Sequence, residues 1–498
     1  MNLSLLLDMA VDGFGDRPVL GRKGETYTAA DVSALCDVAA ATLKARGATA
    51  LVYLDVNAPC FTIALFAAAR AGIPLVPLNY RQSSDQLIAL LSRHPGALVI
   101  TSVQFAHPCA AVGLATVTRE AWLAELAGNP VESSDIAAEG TAAPAAIIYT
   151  SGTTSEPKGV VVRHENLTSY VLGSVEFAGA DEVEAALVSV PPYHIAGVAN
   201  AVTNLYAGRR AVVLERFSGE QWVDVVRAEA ITHALVVPTM LAHIMSAEGD
   251  RSVPSLRALS YGGAAMPRRV IEQALCEWPH VGFVNAYGLT ETSSTIAVLG
   301  PDEHRAAIGS SDARVRDRLG SAGQVLPTVE VEIRGADGTV LAPGAVGRIW
   351  VRGEQVSGEY AGMGSVLDAE GFFDTRDEGY LDSDGFLFVG GRADDTIIRG
   401  GENIAPAEIE AVILAHHAVT DAVVVGVSDA EWGQRLEAVI VVAPEKSVDP
   451  EEIREFVRAR LRSSKTPERV VIWDELPRTE TGKLVRRNVL ARLTPQPT

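Results

Sequence analysis

Residues 28–78 read TAADVSALCDVAAATLKARGATALVYLDVNAPCFTIALFAAARAGIPLVPL, and the alternation within this stretch decides the fold class. Thr28 is a typical helix N-cap, and Gly47 is a typical helix end. Short buried-strand runs follow each helical pattern, which indicates parallel α/β layers. The predicted elements are a helix over 29–46, a strand over 51–54, a helix over 60–71 and a strand over 75–78.

The same alternation returns around 185–215 and 231–300, and its character changes after Arg392. There a smaller unit begins, with a helix opened by Pro406. The sequence therefore predicts an α/β fold: a large N-terminal multi-layer α/β domain over 1–393 and a small α+β C-terminal domain over 394–498. In the second domain, strands are predicted near 422–427 and 437–442 and a helix near 450–462.

Composition excludes several classes of protein. The formal net charge of −20 repels nucleic acid and anionic membranes, so neither is expected as a partner. No apolar run reaches the roughly 18 residues that a membrane span needs. The apolar start, residues 1–10, has no basic leader, and the last residues match no retention or lipidation tail, so we expect a cytoplasmic protein. The spacing of Cys36, Cys60, Cys109 and Cys276 suits neither zinc nor disulfides and favours reduced core thiols.

A hairpin over 377–392 is predicted from geometry alone. Strand-like runs flank Asp384-Gly385, a strong signal for a two-residue turn. Such a turn places Asp377 opposite Arg392, within about one residue of register. A carboxylate and a guanidinium at the open end of one hairpin suit a ribose diol. An ordinary cross-strand ion pair is an equally open alternative.

Two further segments carry charge and hydroxyls suited to phosphates. Residues 149–159 read YTSGTTSEPKG, a loop with many hydroxyls, glycines that allow close backbone approach, and Lys158. This is not a Walker loop, because Pro157 and Gly159 flank the lysine. Near the C-terminus, Lys483 lies in PRTETGK, rich in Thr and Gly. Preorganised donors and a cation are what a reaction at phosphorus requires.

Taken together, these segments resemble the acyl-adenylate-forming superfamily, which includes acyl-CoA synthetases, aryl-CoA ligases, firefly luciferase and adenylation domains of peptide synthetases. The resemblance covers essentially the whole chain, with the motifs in family order at family-like spacing. The motifs are 149–159, Pro192-Tyr193-His194, Tyr261-Gly262-Gly263-Ala264, 285–292, Asp377, Arg392, Gly400-Gly401-Glu402-Asn403 and Gly482-Lys483.

The resemblance implies a nucleotide site for ATP. The 149–159 loop is implied to wrap the β- and γ-phosphates, Glu291 to bind Mg²⁺, Thr290 to touch the α-phosphate and Tyr287 to stack on adenine. The chain's negative charge repels ATP, so binding depends on short-range groups and a metal ion. The implied nucleotide-binding residues are Thr150, Ser151, Gly152, Thr153, Thr154, Lys158, Gly262, Gly263, Ala264, Asn285, Ala286, Tyr287, Gly288, Thr290, Asp377, Arg392 and Lys483.

The resemblance also implies a division of labour between the domains. Lys483 is implied to bridge the substrate carboxylate and the α-phosphate. The small domain is implied to swing about Asp394, which brings Gly400 and Gly401 to the coenzyme A thiol. The implied catalytic residues are Lys483, Glu291, His194 and Lys158.

The acyl group is predicted from charged residues that are absent from the segments expected to line the acyl pocket. The segment 193–197 has no Asp for an amino group, and Ala286 stands where malonate-activating relatives place an Arg. An apolar monocarboxylic acid therefore fits best, with coenzyme A as acceptor. The expected pocket residues are His194, Gly197, Val237 and Pro238.

Three alternatives stay open, and a luciferase-like oxygenase is a further, remote one, because light emission leaves no motif. The chain is an acyl-CoA synthetase, an adenylating enzyme that loads a carrier protein in trans, or a partial enzyme that uses supplied acyl-adenylate. Ser155 and Arg376 depart from the family pattern and keep the partial enzyme in view, whereas Lys158, Glu291 and Lys483 argue against it. A homodimer is expected by analogy only.

Overall fold

The computed structural model describes residues 1–128, 143–150, 157–392, 395–399, 402–429, 432–461, 463–479 and 484–494. Its helices are α1 Ser4–Phe14, α2 Ala29–Ala45, α3 Cys60–Ala71, α4 Ser84–Leu91, α5 Ala106–Val112, α6 Arg119–Gly128, α7 His164–Ser174, α8 Ile195–Ala207, α9 Gly219–Ala228, α10 Pro238–Ser246, α11 Arg268–Glu277, α12 Pro301–Gly309, α13 Ala313–Asp317, α14 Pro406–Leu414, α15 Pro450–Arg458 and α16 Arg486–Leu493.

The strands of the described residues fall into four sheets. They are β1 Pro18–Arg22, β2 Glu25–Thr28, β3 Leu51–Leu54, β4 Leu75–Pro77, β5 Leu98–Thr101, β6 Ala115–Val117, β7 Ala146–Thr150, β8 Lys158–Val162, β9 Ala185–Val188, β10 Arg210–Val213, β11 His233–Val236, β12 Ala258–Gly262, β13 Gly282–Leu289, β14 Ser294–Leu299, β15 Gly323–Val325, β16 Glu330–Arg334, β17 Gly347–Arg352, β18 Glu359–Tyr360, β19 Gly364–Ser365, β20 Phe373–Leu381, β21 Phe386–Arg392, β22 Ile397–Arg399, β23 Glu402–Ile404, β24 Val419–Asp429, β25 Gly433–Val442 and β26 Arg469–Ile472.

Two large sheets build the N-terminal part. The first has the order β19-β18-β8-β7-β4-β3-β5-β6, and the second has the order β16-β17-β20-β21-β15-β14-β13-β12-β11-β9-β10-β1-β2. The strands β3 to β6 pair in parallel, as do β9 to β13, which confirms the predicted α/β layers. Antiparallel strands extend each sheet where the candidate site lies.

The predicted elements of the opening stretch are confirmed closely. Thr28 caps α2 in a capping box, because its hydroxyl accepts from the Asp31 amide and Asp31 accepts from the Thr28 amide. All residues of α3 are buried, since this helix packs on β3 and β4 of the first sheet and on α8 beside the second. The helix therefore joins the two sheets into one layered core.

A smaller unit follows the second sheet. Its strands β24, β25 and β26 form one sheet, and α14 packs against β24. Pro406 stands in the first turn of α14, as predicted. The helix predicted near 450–462 ends earlier, at Arg458, and Ala459 caps it.

The cysteines agree with the prediction in part. All are free thiols, and Cys36, Cys60 and Cys109 are buried. The prediction was wrong for Cys276, which is exposed on α11. Across the described ranges, no helix combines the length and the apolar character that crossing a membrane requires.

Candidate active site

Asp377 and Arg392 face each other on β20 and β21, in the register that the sequence predicts. Arg392 Nη1 lies 3.5 Å from Asp377 Oδ1. The other carboxylate oxygen, Oδ2, accepts a hydrogen bond of 2.6 Å from the hydroxyl of Tyr287. Burial, and then the charge of Asp377, raises the pKa of Tyr287 well above its usual value, so the hydroxyl remains a donor. The Asp377 carboxylate is thus held between an ion pair with Arg392 and a hydrogen bond from Tyr287.

The turn of this hairpin differs from the predicted two-residue turn. The Gly385 amide donates to Asp382 O at 3.1 Å, and Asp382 and Phe386 close a three-residue loop. Gly385 has φ +82°, the left-handed conformation that ends such a loop. The register next to the turn is therefore one residue off, and a second irregularity between Glu378 and Gly379 restores it at Asp377.

Glu291, the predicted metal ligand, lies on a short 3₁₀ turn after β13. Its Oε1 accepts a hydrogen bond of 2.8 Å from the hydroxyl of Tyr360. The ammonium of Lys158 lies 5.6 Å from the centre of the Tyr360 ring, within cation–π range. Tyr360 therefore links the predicted metal ligand to the predicted phosphate-binding lysine.

The turn that carries Glu291 is strained and tightly held. Ser293 has φ +54° and Ser294 has φ +116°, both uncommon for residues with a side chain. The buried amide of Gln355 donates to Thr292 O at 3.1 Å and to Thr295 O at 2.8 Å. Backbone strain of this kind persists where the surroundings over-determine it, and it is concentrated at functional sites.

The predicted phosphate loop connects β7 to β8, and its two ends are paired. Thr150 lies opposite Lys158 in an antiparallel register, and Tyr360 on β18 pairs with Val160 on β8. The loop residues Ser151, Gly152, Thr153, Thr154 and Ser155 lie outside the described residues. The base of the loop is thus placed beside Tyr360.

Two glycines permit close backbone approach at the predicted adenine segment. A Cβ on Gly262 would lie 2.2 Å from Ala286 O, and a Cβ on Gly288 would lie 1.7 Å from Ser294 O. Any side chain at either position would force the strands apart. Ala264 follows in the connection to α11, and Thr290 begins the 3₁₀ turn. The side chain of Asn285 donates to Ser321 O at 2.8 Å, which is a contact within the fold.

The predicted acyl-pocket residues lie at the starts of two helices. His194 is the N-cap residue of α8, and its ring lies 4.6 Å from that of Tyr193. Gly197 is buried, and a Cβ there would lie 2.7 Å from Pro191 O. Val237 and Pro238 begin α10, and Val237 Cγ1 lies 3.8 Å from where a Cβ of Gly263 would be. The adenine segment and the second helix start are therefore adjacent.

The remaining predicted site residues lie outside the described residues. They are Lys483, Asp394, Gly400 and Gly401. Sequence reasoning missed Tyr360 and Gln355, because only the pairing of β18 with β8 and the packing against the 3₁₀ turn bring them to Glu291.

The predicted metal site contains one carboxylate, that of Glu291. Within the described ranges, no group of three or more His, Cys, Asp and Glu side chains could hold a metal ion. Mg²⁺ is commonly bound by one or two carboxylates together with substrate phosphates. Glu291 therefore fits a Mg²⁺ ion that binds with a nucleotide.

Comparisons with known proteins identify relatives over nearly the whole chain. The family model for AMP-binding enzymes matches residues 7–361, and that for the AMP-binding enzyme C-terminal domain matches residues 408–483. Fatty acid–[acyl-carrier-protein] ligase ScoC of Streptomyces coeruleorubidus is 31% identical over 500 residues, with 95% of this chain and 93% of that protein covered. 2-Succinylbenzoate–CoA ligase of Bacillus licheniformis is 35% identical over 455 residues, with 89% of each covered. The solved structure of o-succinylbenzoate coenzyme A synthetase from Bacillus subtilis, in complex with ATP and magnesium ion, has a TM-score of 0.83 and 31% identity, and covers 97% of this chain and 98% of that chain.

Proposed function

The chain belongs to the AMP-binding enzyme family, and we propose that it is an acyl-CoA synthetase that activates an apolar monocarboxylic acid with ATP. The acyl group passes through an acyl-adenylate to coenzyme A, and AMP and pyrophosphate are released. The co-substrates follow those of its relatives, which include CoA ligases and a structure with bound ATP and magnesium.

One observation carries the proposal. The segment 287–291 contributes to both the proposed ribose contact and the proposed phosphate contact. Tyr287 donates a hydrogen bond to Asp377, and Glu291 accepts one from Tyr360, beside Lys158. Tyr287 lies near the end of β13 and Glu291 lies on the 3₁₀ turn that follows it directly, so the ribose contact and the phosphate contact are adjacent. A ribose diol at Asp377 and phosphates near Lys158 suit one bound ATP.

The reaction balances with these groups. A carboxylate oxygen of the acid attacks the α-phosphorus, and pyrophosphate leaves. Mg²⁺, when bound, neutralises charge on the phosphates. Glu291 is oriented for that ion by Tyr360, and Lys158 adds a cation at the base of the phosphate loop. A thiol then attacks the acyl carbon, and AMP leaves with the oxygen that came from the carboxylate.

The role of Lys483 is part of the proposal and is supported by its motif and its place at the end of the C-terminal family match. We propose that it stabilises the reacting oxygens during adenylation, and that the unit after Asp394 moves before thioester formation. Thr396 donates to Glu378 Oε2 at 3.1 Å, one contact that such a movement would break.

The acid is proposed from the pocket positions. Gly197, Val237 and Pro238 are small or apolar and are all buried. An acid with an apolar body would desolvate there without leaving a charge unpaired. His194, at the N-cap of α8, is the polar group proposed to lie beside the carboxylate.

A second acceptor is favoured by one comparison. The relative from Streptomyces coeruleorubidus, which loads acyl-carrier protein by its name, matches over 95% of this chain. Transfer to a carrier protein in trans is therefore the second candidate, and it shares the adenylation step.

The test is ATP–pyrophosphate exchange across fatty, aryl and arylacetic acids, followed by mass detection of thioesters with coenzyme A and with a holo-carrier protein. Exchange with at least one acid and a thioester on coenzyme A support the proposal. A thioester on the carrier alone supports the second candidate. Absence of exchange with every acid, together with thioester from supplied acyl-adenylate, would establish the partial enzyme instead.

A further inference from the structure

The hairpin of β7 and β8, which carries the two ends of the predicted phosphate loop, is contacted by two distant segments. One is β18, which pairs with β8, and the Ala361 amide that follows it donates to Gly159 O at 2.8 Å. The other is the chain that leaves α4, where Arg93 and His94 reach the ends of the loop. The second set of contacts joins the first sheet's helical layer to the proposed phosphate site.

Arg93 contacts both ends of the loop. Its Nη1 donates to Pro157 O at 3.1 Å, and its guanidinium carbon lies 5.8 Å from the centre of the Tyr149 ring, within cation–π range. Tyr149 directly precedes Thr150, the last residue of β7. Pro157 directly precedes Lys158, the first residue of β8. One side chain therefore spans the two points at which the loop leaves the sheet and returns to it.

His94 holds the same tyrosine from its hydroxyl end. His94 Nε2 and the Tyr149 hydroxyl share a hydrogen bond of 2.9 Å, and the two rings meet edge to face with their centres 5.8 Å apart. His94 is only 9% exposed, so little water competes for this hydrogen bond. The Tyr149 ring is thus fixed by the histidine at its hydroxyl and by Arg93 beside it.

The helix before Arg93 and His94 is itself firmly placed. A capping box begins α4, because the Ser83 hydroxyl accepts from the Gln86 amide and the Gln86 side chain accepts from the Ser83 amide. The buried leucines of α4 belong to the apolar cluster against which Tyr149 packs. Side chains at the end of a well-packed helix can hold a functional group more precisely than side chains on a loop.

The composition of the loop explains why its ends need such support. Residues 151–155 read SGTTS, which gives the loop almost no apolar surface of its own to pack. Glycine and small polar residues leave a chain with high conformational entropy. Fixing the two ends in advance reduces the entropy that is lost when such a loop closes on a ligand.

We propose that Arg93 and His94 are positioning residues that hold the two ends of the loop, so that Lys158 and the hydroxyl-rich loop meet the β- and γ-phosphates of ATP. The inference rests on the proposed function and deepens it, because it assigns the support of the phosphate contact. Neither side chain is proposed to touch the nucleotide, and both act through Tyr149 or Pro157. An acyl-adenylate carries neither of these phosphates, so the contacts should matter for adenylation and not for thioester formation.

The experiment compares the two half-reactions in the full chain. It measures the KM for MgATP in ATP–pyrophosphate exchange with an accepted acid, and the rate of thioester formation from the supplied acyl-adenylate. Arg93→Ala should raise the KM for MgATP about fivefold, which corresponds to about 1 kcal/mol, the usual contribution of one hydrogen bond. Tyr149→Phe removes only the hydroxyl that His94 contacts and should raise this KM about threefold.

A merely structural role would not separate the half-reactions. In both variants, the KM for the acid and the rate of thioester formation should stay within about twofold of the wild-type values, because neither depends on the β- and γ-phosphates. Arg93→Lys keeps a cation and a donor, and it should recover most of the affinity for MgATP that Arg93→Ala loses.

Arg227→Ala is the matched control. The Arg227 side chain also donates to a backbone carbonyl, that of Ser252, at 2.9 Å, but it lies on α9, which packs against α10. This variant should keep the wild-type KM for MgATP. An equal rise in the control, or an equal fall in both half-reactions of Arg93→Ala, would overturn the inference. A wild-type KM in Arg93→Ala or in Tyr149→Phe would overturn the role of Arg93 or of His94, respectively. A wild-type chain that exchanges pyrophosphate with no acid would instead overturn the proposed function, and the inference with it.

Discussion

Replacing Tyr360 with Phe removes one hydroxyl from the centre of the proposed site. That hydroxyl donates to Glu291 Oε1 at 2.8 Å, and a hydrogen bond to a charged group contributes about 1.5 kcal/mol at the lower end of its usual range. Without the donor, Glu291 is less well oriented for Mg²⁺. We therefore expect the Mg²⁺ concentration for half-maximal ATP–pyrophosphate exchange to rise roughly tenfold. The ring and its contact with Lys158 remain.

The pH dependence of this effect follows from the pKa of Tyr360. Burial, and then the charge of Glu291, raises that pKa above its usual value near 10. A raised folded-state pKa means that the contribution to stability is complete below about pH 10 and is lost as pH rises further. The difference between Tyr360→Phe and wild type should therefore be constant between about pH 7 and 9.

Tyr380→Phe is the control for loss of a hydroxyl. Tyr380 stacks on Phe388 at 4.8 Å in the β20–β21 hairpin and is half-buried. Its substitution should leave the Mg²⁺ dependence unchanged. Tyr360→Leu removes the ring as well and should add a further loss of roughly two- to threefold, since a cation–π contact is worth about 0.5 kcal/mol. An unchanged Mg²⁺ requirement in Tyr360→Phe, with native folding, would refute the orienting role.

Three further predictions concern the lysine, the ribose contact and the thiols. Lys483→Ala should raise the adenylation barrier by about 2–4 kcal/mol and spare thioester formation from supplied acyl-adenylate. Single-turnover kinetics measure the rate of each half-reaction separately, and an equal fall in both rates would contradict the proposed role of the lysine. Asp377→Ala should bind ATP about tenfold more weakly, through loss of a charge-assisted contact, and should no longer distinguish ATP from 3′-deoxy-ATP; continued discrimination would exclude a diol contact. Cys276 alone should react with a thiol reagent in the native protein, because burial raises the pKa of Cys36 and Cys60 to about 12 and that of Cys109 to about 11; rapid reaction of more than one thiol would contradict the described burial.

Local pattern predicted the layered core well. A continuous apolar run is typical of a strand that is buried on both faces, and the strand predicted over 51–54 has the observed bounds, Leu51–Leu54. The helix over 60–71 was right for a similar reason, since glycine at 72 ends it in a left-handed conformation. Helix ends without such a signal, as at Arg458, were placed less well.

In the β20–β21 hairpin, the predicted pairing of Asp377 with Arg392 is correct although the predicted two-residue turn is not. Asp-Gly predicted a turn, and a turn is present, but Gly385 closes a three-residue loop. The resulting one-residue shift is cancelled by an irregularity near Gly379, so Asp377 still meets Arg392. A bulge depends on pairing with neighbouring strands, and the sequence of one hairpin does not contain that information.

The contacts of Tyr360 lay beyond sequence reasoning for another reason. Tyr360 reaches Glu291 and Lys158 only because β18 adds to the edge of β8, far away in the chain. Long-range pairing of a two-residue strand carries almost no local signal. The same holds for Gln355, whose amide fixes the turn beside Glu291.

The measurement that tests the central claim most directly follows the carboxylate oxygen. The chain is incubated with ATP, Mg²⁺, coenzyme A and an accepted acid that carries ¹⁸O in both carboxylate oxygens, and the phosphorus products are weighed by mass spectrometry. Attack at the α-phosphorus predicts one ¹⁸O atom in each AMP and none in pyrophosphate. Appearance of the label in inorganic phosphate, with ADP as the other product, would contradict the account.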